Sequence, residues 1–225
     1  MVSPSRRIID LAEGQWGLST RAQAAAAGVP AATFARLLQR GLLERVAHGV
    51  YRVRGAGESE HLQLRAAWLQ LDSIRPAWER LDDPDGAVVS HSSAASLYGV
   101  GDLRPDIHEF TFPGRWQTRR SDVRMHRGMV PDSERIVLGG LPVTRAGRMI
   151  ADLLDDHVEP SAVARITVEV IENTYEYPRV VAEKIAPFAA TFGLRQGDGV
   201  ALLEYILDLA GSRLDRQTIL EEARR

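Results

Sequence analysis

The stretch STRAQAAAAGVPAATFARLLQRGLLERVAHGVYRV, residues 19–53, carries the first decision about this chain. Ser19 or Thr20 can accept from the exposed amides of a following turn, so either can cap a helix running from Arg21 to about Ala26. Gly28 is free to leave the helical region, and Pro30 ends one helix while fitting the opening of the next. In that next helix, about Ala31 to Arg40, Phe34, Leu37 and Leu38 share one face by their i, i+3, i+4 spacing. Gly41 stops it. Leu43–Val46 and Val50–Val53 then read as two short strands about Ala47, His48 and Gly49. Two short helices about a tight turn, followed by a two-stranded hairpin, are the parts of a winged helix-turn-helix, and double-stranded DNA is the first partner to consider.

The pattern assigns the DNA-facing positions. With Phe34, Leu37 and Leu38 turned inward, Ala31, Thr33, Arg36 and Arg40 remain available to the outside. The small residues come first, where a helix must approach the floor of the major groove. Up to Arg54 there are eight arginines against three acids, a formal charge of +5, whereas the whole chain is −2, which leaves −7 on the remainder. A basic module on an acidic body is the asymmetry expected of a protein that presents one end to a polyanion. A small helical domain with solvated arginines that packs against protein is the plainer alternative.

Composition sets the outer limits. A chain of 225 residues with 44% hydrophobic residues can bury a sizeable core in one or two domains. It has no cysteine, which excludes disulfides and thiolate metal sites. No apolar run approaches the roughly 20 residues that cross a bilayer, and the N-terminus lacks the apolar stretch of a signal peptide, so a cytoplasmic protein with no membrane contact is expected. Lys184 is the only lysine among 28 basic residues, leaving arginine to make nearly all cationic contacts.

The expected fold class is α+β: a winged helix-turn-helix over 1–55, then a domain over 58–225 that is mixed α/β to about residue 155 and helical beyond it. The boundary is expected near Gly55-Ala56-Gly57. The pattern predicts a helix from Ser59 to about Leu81, broken at Pro76, a short strand at 87–89, and a helix from the cap Ser90 through Tyr98. Strands follow around 107–112 and 123–127, with a hairpin of 135–138 and 141–143 about Gly139-Gly140. Helices are predicted at 144–154 (capped by Thr144), 160–173, 178–192, 199–210 and 216 onward.

The start ending GVYRV, together with SHSSAASLYG (90–99) and GLPVTRAGRMIADL (140–153), resembles the AbiEi family of antitoxins over about residues 5–155. The resemblance implies a bacterial two-domain protein that binds inverted repeats in its own promoter, represses its operon, and counters a nucleotidyltransferase-like toxin. It places Ser19, Thr20, Thr33, Arg36, Arg40, Arg45, His48 and Arg52 on the DNA surface, and His91, Ser92 and Ser93 in the framework of the second domain. The tail beyond about Asp156 has no counterpart in the resemblance.

A second basic cluster, Arg104, Arg115, Arg119, Arg120, Arg124 and Arg127 with Trp116 and His126 interleaved, is a candidate surface for phosphate or an acidic partner, diluted by Asp106, Glu109 and Asp122. A nuclease would need clustered carboxylates beside a lysine, but Lys184 lies in AEKI without that arrangement. Asp152, Asp155, Asp156 and His157 form an acidic group read as a solvated helix end. With no phosphate loop, nucleophile elbow or metal-ligand spacing, the reading is a non-enzyme without cofactor or metal. The alternative is a solitary winged-helix regulator whose second domain dimerises or senses a ligand, using the helices at 160–173 and 199–210 with Tyr175, Tyr177 and Phe188 near a pocket. The oligomeric state is left open.

Overall fold

The computed structural model describes residues 3–57, 59–103, 106–116, 118, 120–211 and 215–224. Ser3 accepts from Arg6 N and Pro4 takes the first helical position, so α1 (Pro4–Glu13) starts where a side-chain acceptor and a residue without an amide hydrogen meet. β1 (Leu18–Thr20) follows, and Thr20 then caps α2 (Arg21–Ala26) in a capping box with Gln23. α3 (Ala31–Gln39) begins after Pro30, and β2 (Leu43–Ala47) and β3 (Val50–Val53) form the wing. The sheet order is β1-β3-β2, antiparallel throughout, with an irregularity between Arg45 and Ala47. Ile8, Ala24, Val29, Phe34, Leu37, Leu43 and Tyr51 form one core, in which Phe34 meets Tyr51 edge to face at 4.9 Å.

The winged helix-turn-helix is therefore present, with two additions to the sequence reading. The flanking elements α1 and β1 complete it: α1 delivers Ile8 to the core, and Arg7 Nη1 donates to Ala27 O at the end of α2.

α4 (Leu62–Leu71) ends well before Pro76, because the Asp72 carboxylate accepts from Ile74 N and Arg75 N and offers the backbone a turn instead of a further helical step. The chain divides into two compact units, residues 1–87 with 139–142, and 88–138 with 143–225. α4 and the loop through Ala87 thus group with the winged helix, and the division lies at 87/88 and not near 55. Buried and part-buried polar bonds join this loop to the winged helix: Gln23 Nε2 donates to Arg75 O at 2.9 Å, Ala77 N to Gln15 Oε1 at 3.1 Å, and Thr20 Oγ1 to Ser73 O at 2.5 Å. Arg80 lies 3.6 Å over the Trp68 ring and donates to Trp68 O; burial lowers its pKa to about 10.

The remaining elements are β4 (Val88–Val89), α5 (His91–Tyr98), β5 (His108–Phe112), β6 (Val123–Arg127), β7 (Arg135–Leu138), β8 (Leu141–Thr144), α6 (Ala146–Asp155), α7 (Pro160–Glu172), α8 (Pro178–Ile185), α9 (Gly199–Leu209) and α10 (Arg216–Ala223). The second sheet runs β6-β5-β4-β8-β7, with β4 parallel to β8 and β5 parallel to β6. Gly139 and Gly140, both at positive φ, make the predicted turn between β7 and β8. Thr144 lies in β8 and does not cap; α6 starts after Arg145. The segment 178–192 is α8 followed by a tighter 3₁₀ turn over Ala186–Phe192 containing Pro187. α6 packs on α8, and α9 on α7 and α8. A Cβ at Gly199 would stand 1.9 Å from Ala182 O, so the approach of α9 to α8 requires glycine there. No helix among the described residues is long and apolar enough to cross a membrane.

Candidate nucleic-acid interface

α3 presents one face to solvent. Phe34 and Leu37 are buried and Leu38 half-buried, while Ala31, Ala32, Ala35, Arg36, Gln39 and Arg40 are exposed. Three alanines near the start leave the helix slim where it would approach bases, and Arg36 and Arg40 follow at i+4 and i+8 from Ala32. Thr33 is half-buried and its Oγ1 accepts from Arg36 Nη2 at 3.3 Å, which holds the guanidinium along the helix. Ala32, Ala35 and Gln39 were not among the expected contacts, although the same helical arithmetic places them on this face.

The wing supplies a third cation. Arg45 is exposed, its Nε donating to Ala47 O at 3.4 Å and its Nη2 lying 3.1 Å from His48 Nδ1. The pair sits at the wing turn, where Gly49 takes φ +72°. Gln70 of α4 donates to His48 O at 2.6 Å, so the turn is held from within its own unit.

Three expected contacts are corrected. Ser19 is fully buried in β1, opposite Tyr51, and cannot reach a nucleic acid. Thr20 is buried and its side chain is committed to capping α2 and to Ser73 O. Arg52 turns its Nη2 to Ala56 O and Gly57 O, both at 2.6 Å, so its guanidinium holds the chain after the wing and is not offered to phosphate. Arg6 is paired with Asp10 and Arg54 with Glu44. Arg21, Arg36, Arg40 and Arg45 make no ion pair among the described residues, and they form the basic face that remains. Arg21 is exposed beside the wing turn, its N donating to Gly49 O at 2.9 Å, and was overlooked as a contact.

This face lies on the segment for which a relationship is found. Residues 6–54 match the model of the family described as transcriptional regulator, AbiEi antitoxin. The N-terminal segment is thus similar to this AbiEi regulator family. The match supports a DNA-binding regulator and covers the winged helix-turn-helix with its α1. Across 97% of the chain the fold is similar to 80% of the crystal structure of the Rv2827c protein from Mycobacterium tuberculosis, with a TM-score of 0.53 and 16% identity. At that identity the likeness concerns the fold alone. Comparison with curated proteins finds no match. Beyond the AbiEi segment, the site has to be argued from its own geometry.

Two arginines of the second basic cluster are ion-paired. Arg120 pairs with Asp122, and Arg124 makes two 2.8 Å bonds to Asp156. Arg115 and Arg127 stand exposed, and Arg104 and Arg119 lie outside the described residues. Local ion pairing thus adds to the dilution expected of that candidate surface. The acidic group is likewise dispersed: Asp152 bonds Arg148, Asp156 bonds Arg124, and His157 Nδ1 contacts Asp155 O. Among the described residues no group of three or more His, Asp or Glu is placed to hold a metal ion.

The second unit does contain a buried polar layer that periodicity did not reveal. Parallel pairing of β5 with β6 sets Glu109 opposite Arg124 and Thr111 opposite His126. Glu109 accepts from Ser92 N, Ser92 Oγ and His126 Nε2, and Thr111 Oγ1 donates to Ser90 Oγ, which contacts His91 Nδ1. Burial alone would raise the Glu109 pKa, but the bonds from His126 and Ser92 outweigh it and hold it at about 2. His91 opens α5 at φ +51°, and Ser90, expected to cap this helix, turns its hydroxyl to His91 and Thr111 instead. The cluster ties α5 to β5 and β6.

Proposed function

We propose that the chain is an autoregulatory antitoxin: it binds inverted repeats in its own promoter through α3 and the wing, and it counters a nucleotidyltransferase-like toxin through the second unit. The observation that supports the DNA half is the face of Arg36, Arg40 and Arg45, without an ion pair among the described residues, around a helix whose first turn is slim enough to enter the major groove. It lies within the AbiEi match. The toxin half rests on that family together with the resemblance carried by residues 90–99 and 140–153. In this reading the protein works in the cytoplasm and acts by binding rather than catalysis.

Affinity for the duplex upstream of its own coding sequence, compared with a scrambled duplex over a salt series, tests the first half. Specific binding with a steep negative salt slope is expected, and no preference at any salt would overturn it. For the second half, the full-length chain carrying Arg36→Ala and Arg45→Ala is co-expressed with the adjacent toxin. It should lose promoter binding and still rescue growth. Point changes serve better than removal of residues 1–55, which would cut through the first compact unit.

A further inference from the structure

An open cleft of about 530 Å3 lies within the first unit, between α2, the wing turn and the C-terminal end of α4. Arg21, Ala22 and Ala25 line one side, His48 and Gly49 another, and Gln70 and Ser73 the third. These walls are tied to one another by Arg21 N to Gly49 O, Gln70 Nε2 to His48 O and Thr20 Oγ1 to Ser73 O, so the cleft is formed before any ligand arrives. Its lining includes two alanines and a glycine, which leave room for a bulky chain to lie against the backbone. None of its lining residues is acidic, and the Arg21 side chain is exposed with no ion pair among the described residues.

The cleft is continuous with the candidate interface, because His48 belongs to both: it pairs with Arg45 on the wing and lines the cleft on its other side. A helix that enters a major groove brings the flanking sugar–phosphate strand against the surface beside it, and most contacts to that strand come from cations and small hydrogen-bonding side chains. Arg21 and Ser73 are such groups. We propose that this cleft seats the DNA backbone next to the groove read by α3, with Arg21 contacting phosphate. The DNA surface then extends beyond the family-matched segment to Ser73 at the end of α4.

This inference rests on the DNA-binding reading, and the test separates the two. Full-length wild type, Arg21→Ala, Arg21→Lys and Ser73→Glu are titrated with the upstream and scrambled duplexes over a salt series. Arg21→Ala should weaken both duplexes by the same factor, roughly tenfold at low salt, and reduce the salt slope by about one, with sequence preference kept. Arg21→Lys should restore the slope, and Ser73→Glu should weaken both duplexes through repulsion of phosphate. Wild-type slope and affinity in both Arg21→Ala and Ser73→Glu, with wild type itself binding specifically, would overturn the cleft and leave the α3 reading standing. Wild type that binds neither duplex would overturn the reading beneath it.

Discussion

The rings of His91 and His126 stack with centroids 3.5 Å apart and planes 12° from parallel. Two imidazoles at that separation resist being charged together. Burial first, and the neighbouring His126 second, push the His91 pKa down to about 4, while Glu109 and Asp156 oppose the shift and Arg124 adds to it. Asp152 on α6 has its pKa raised by burial, against the pull first of Arg148 and then of the His126 charge. The stack is thus built for neutral His91 and an ionised Glu109.

Stability of the second unit should therefore fall on acidification. The folded pKa of His91 lies below its unfolded value of about 6.5, so the unfolded chain binds more protons between about pH 6.5 and 4, and stability present above that window is lost as pH falls through it. The loss should reach on the order of 2 kcal/mol by about pH 5. Glu109, held near 2, adds a loss in the same direction below about pH 4.5. His91→Asn tolerates the left-handed backbone and does not titrate, so urea midpoints at about pH 7 and 5 should differ less in this variant than in wild type. Equal pH dependence in the two proteins would remove His91 as the cause.

Much of the winged helix was legible because its signals are local. The Phe34, Leu37, Leu38 spacing gave α3, Thr20 and Gly28 bounded α2, and the hydrophobic runs about His48-Gly49 gave the wing. α1 carries an equally local signal, Ser3-Pro4 before Ile8, Leu11 and Ala12. The errors at Ser19 and Arg52 have another origin. β1 pairs with β3 across more than thirty residues, Leu18 opposite Arg52, and this pairing buries Ser19. In the second unit, Glu109 and His126 lie on separate strands and meet His91 only after parallel pairing of β5 with β6, which no periodicity encodes. The end of α4 at Leu71 was obscured because Pro76 looked like the breaker while Asp72 was the one that acted.

Arg36 and Arg52 should respond in opposite ways. Arg36→Ala should cost roughly 1–3 kcal/mol of binding to the upstream duplex and relax preference at one base pair, if its guanidinium reads a guanine edge. Arg52→Ala should leave the salt slope unchanged and instead lower the urea midpoint, since two charge-assisted bonds to Ala56 O and Gly57 O are lost, worth about 1–3 kcal/mol. A slope reduced by about one in Arg52→Ala would return that residue to the DNA surface.

Gln23 offers the strictest test of what joins α4 to the winged helix. Its Oε1 accepts from Thr20 N at 2.9 Å and Gln15 Nε2 at 2.7 Å, while its Nε2 donates to Arg75 O at 2.9 Å and Gln15 Oε1 at 3.3 Å. Gln15 and Gln23 are 0% and 2% exposed, so water cannot replace a lost partner without opening the unit. Gln23→Ala should destabilise the first unit by about 2–3 kcal/mol, from the orphaned groups and half of the capping box. Gln23→Glu keeps the size but turns a donor pair into a carboxylate oxygen facing Arg75 O and Gln15 Oε1. Burying that charge against two acceptors should cost more than deleting the side chain, on the order of 3–5 kcal/mol at neutral pH, and the penalty should shrink as acid protonates the carboxyl. Urea unfolding followed by the tryptophan fluorescence of this unit, which contains Trp16, Trp68 and Trp78, reads both effects. A Gln23→Glu protein as stable as wild type would mean that the bonds between Gln23, Gln15 and Arg75 do not hold the loop after α4 in place.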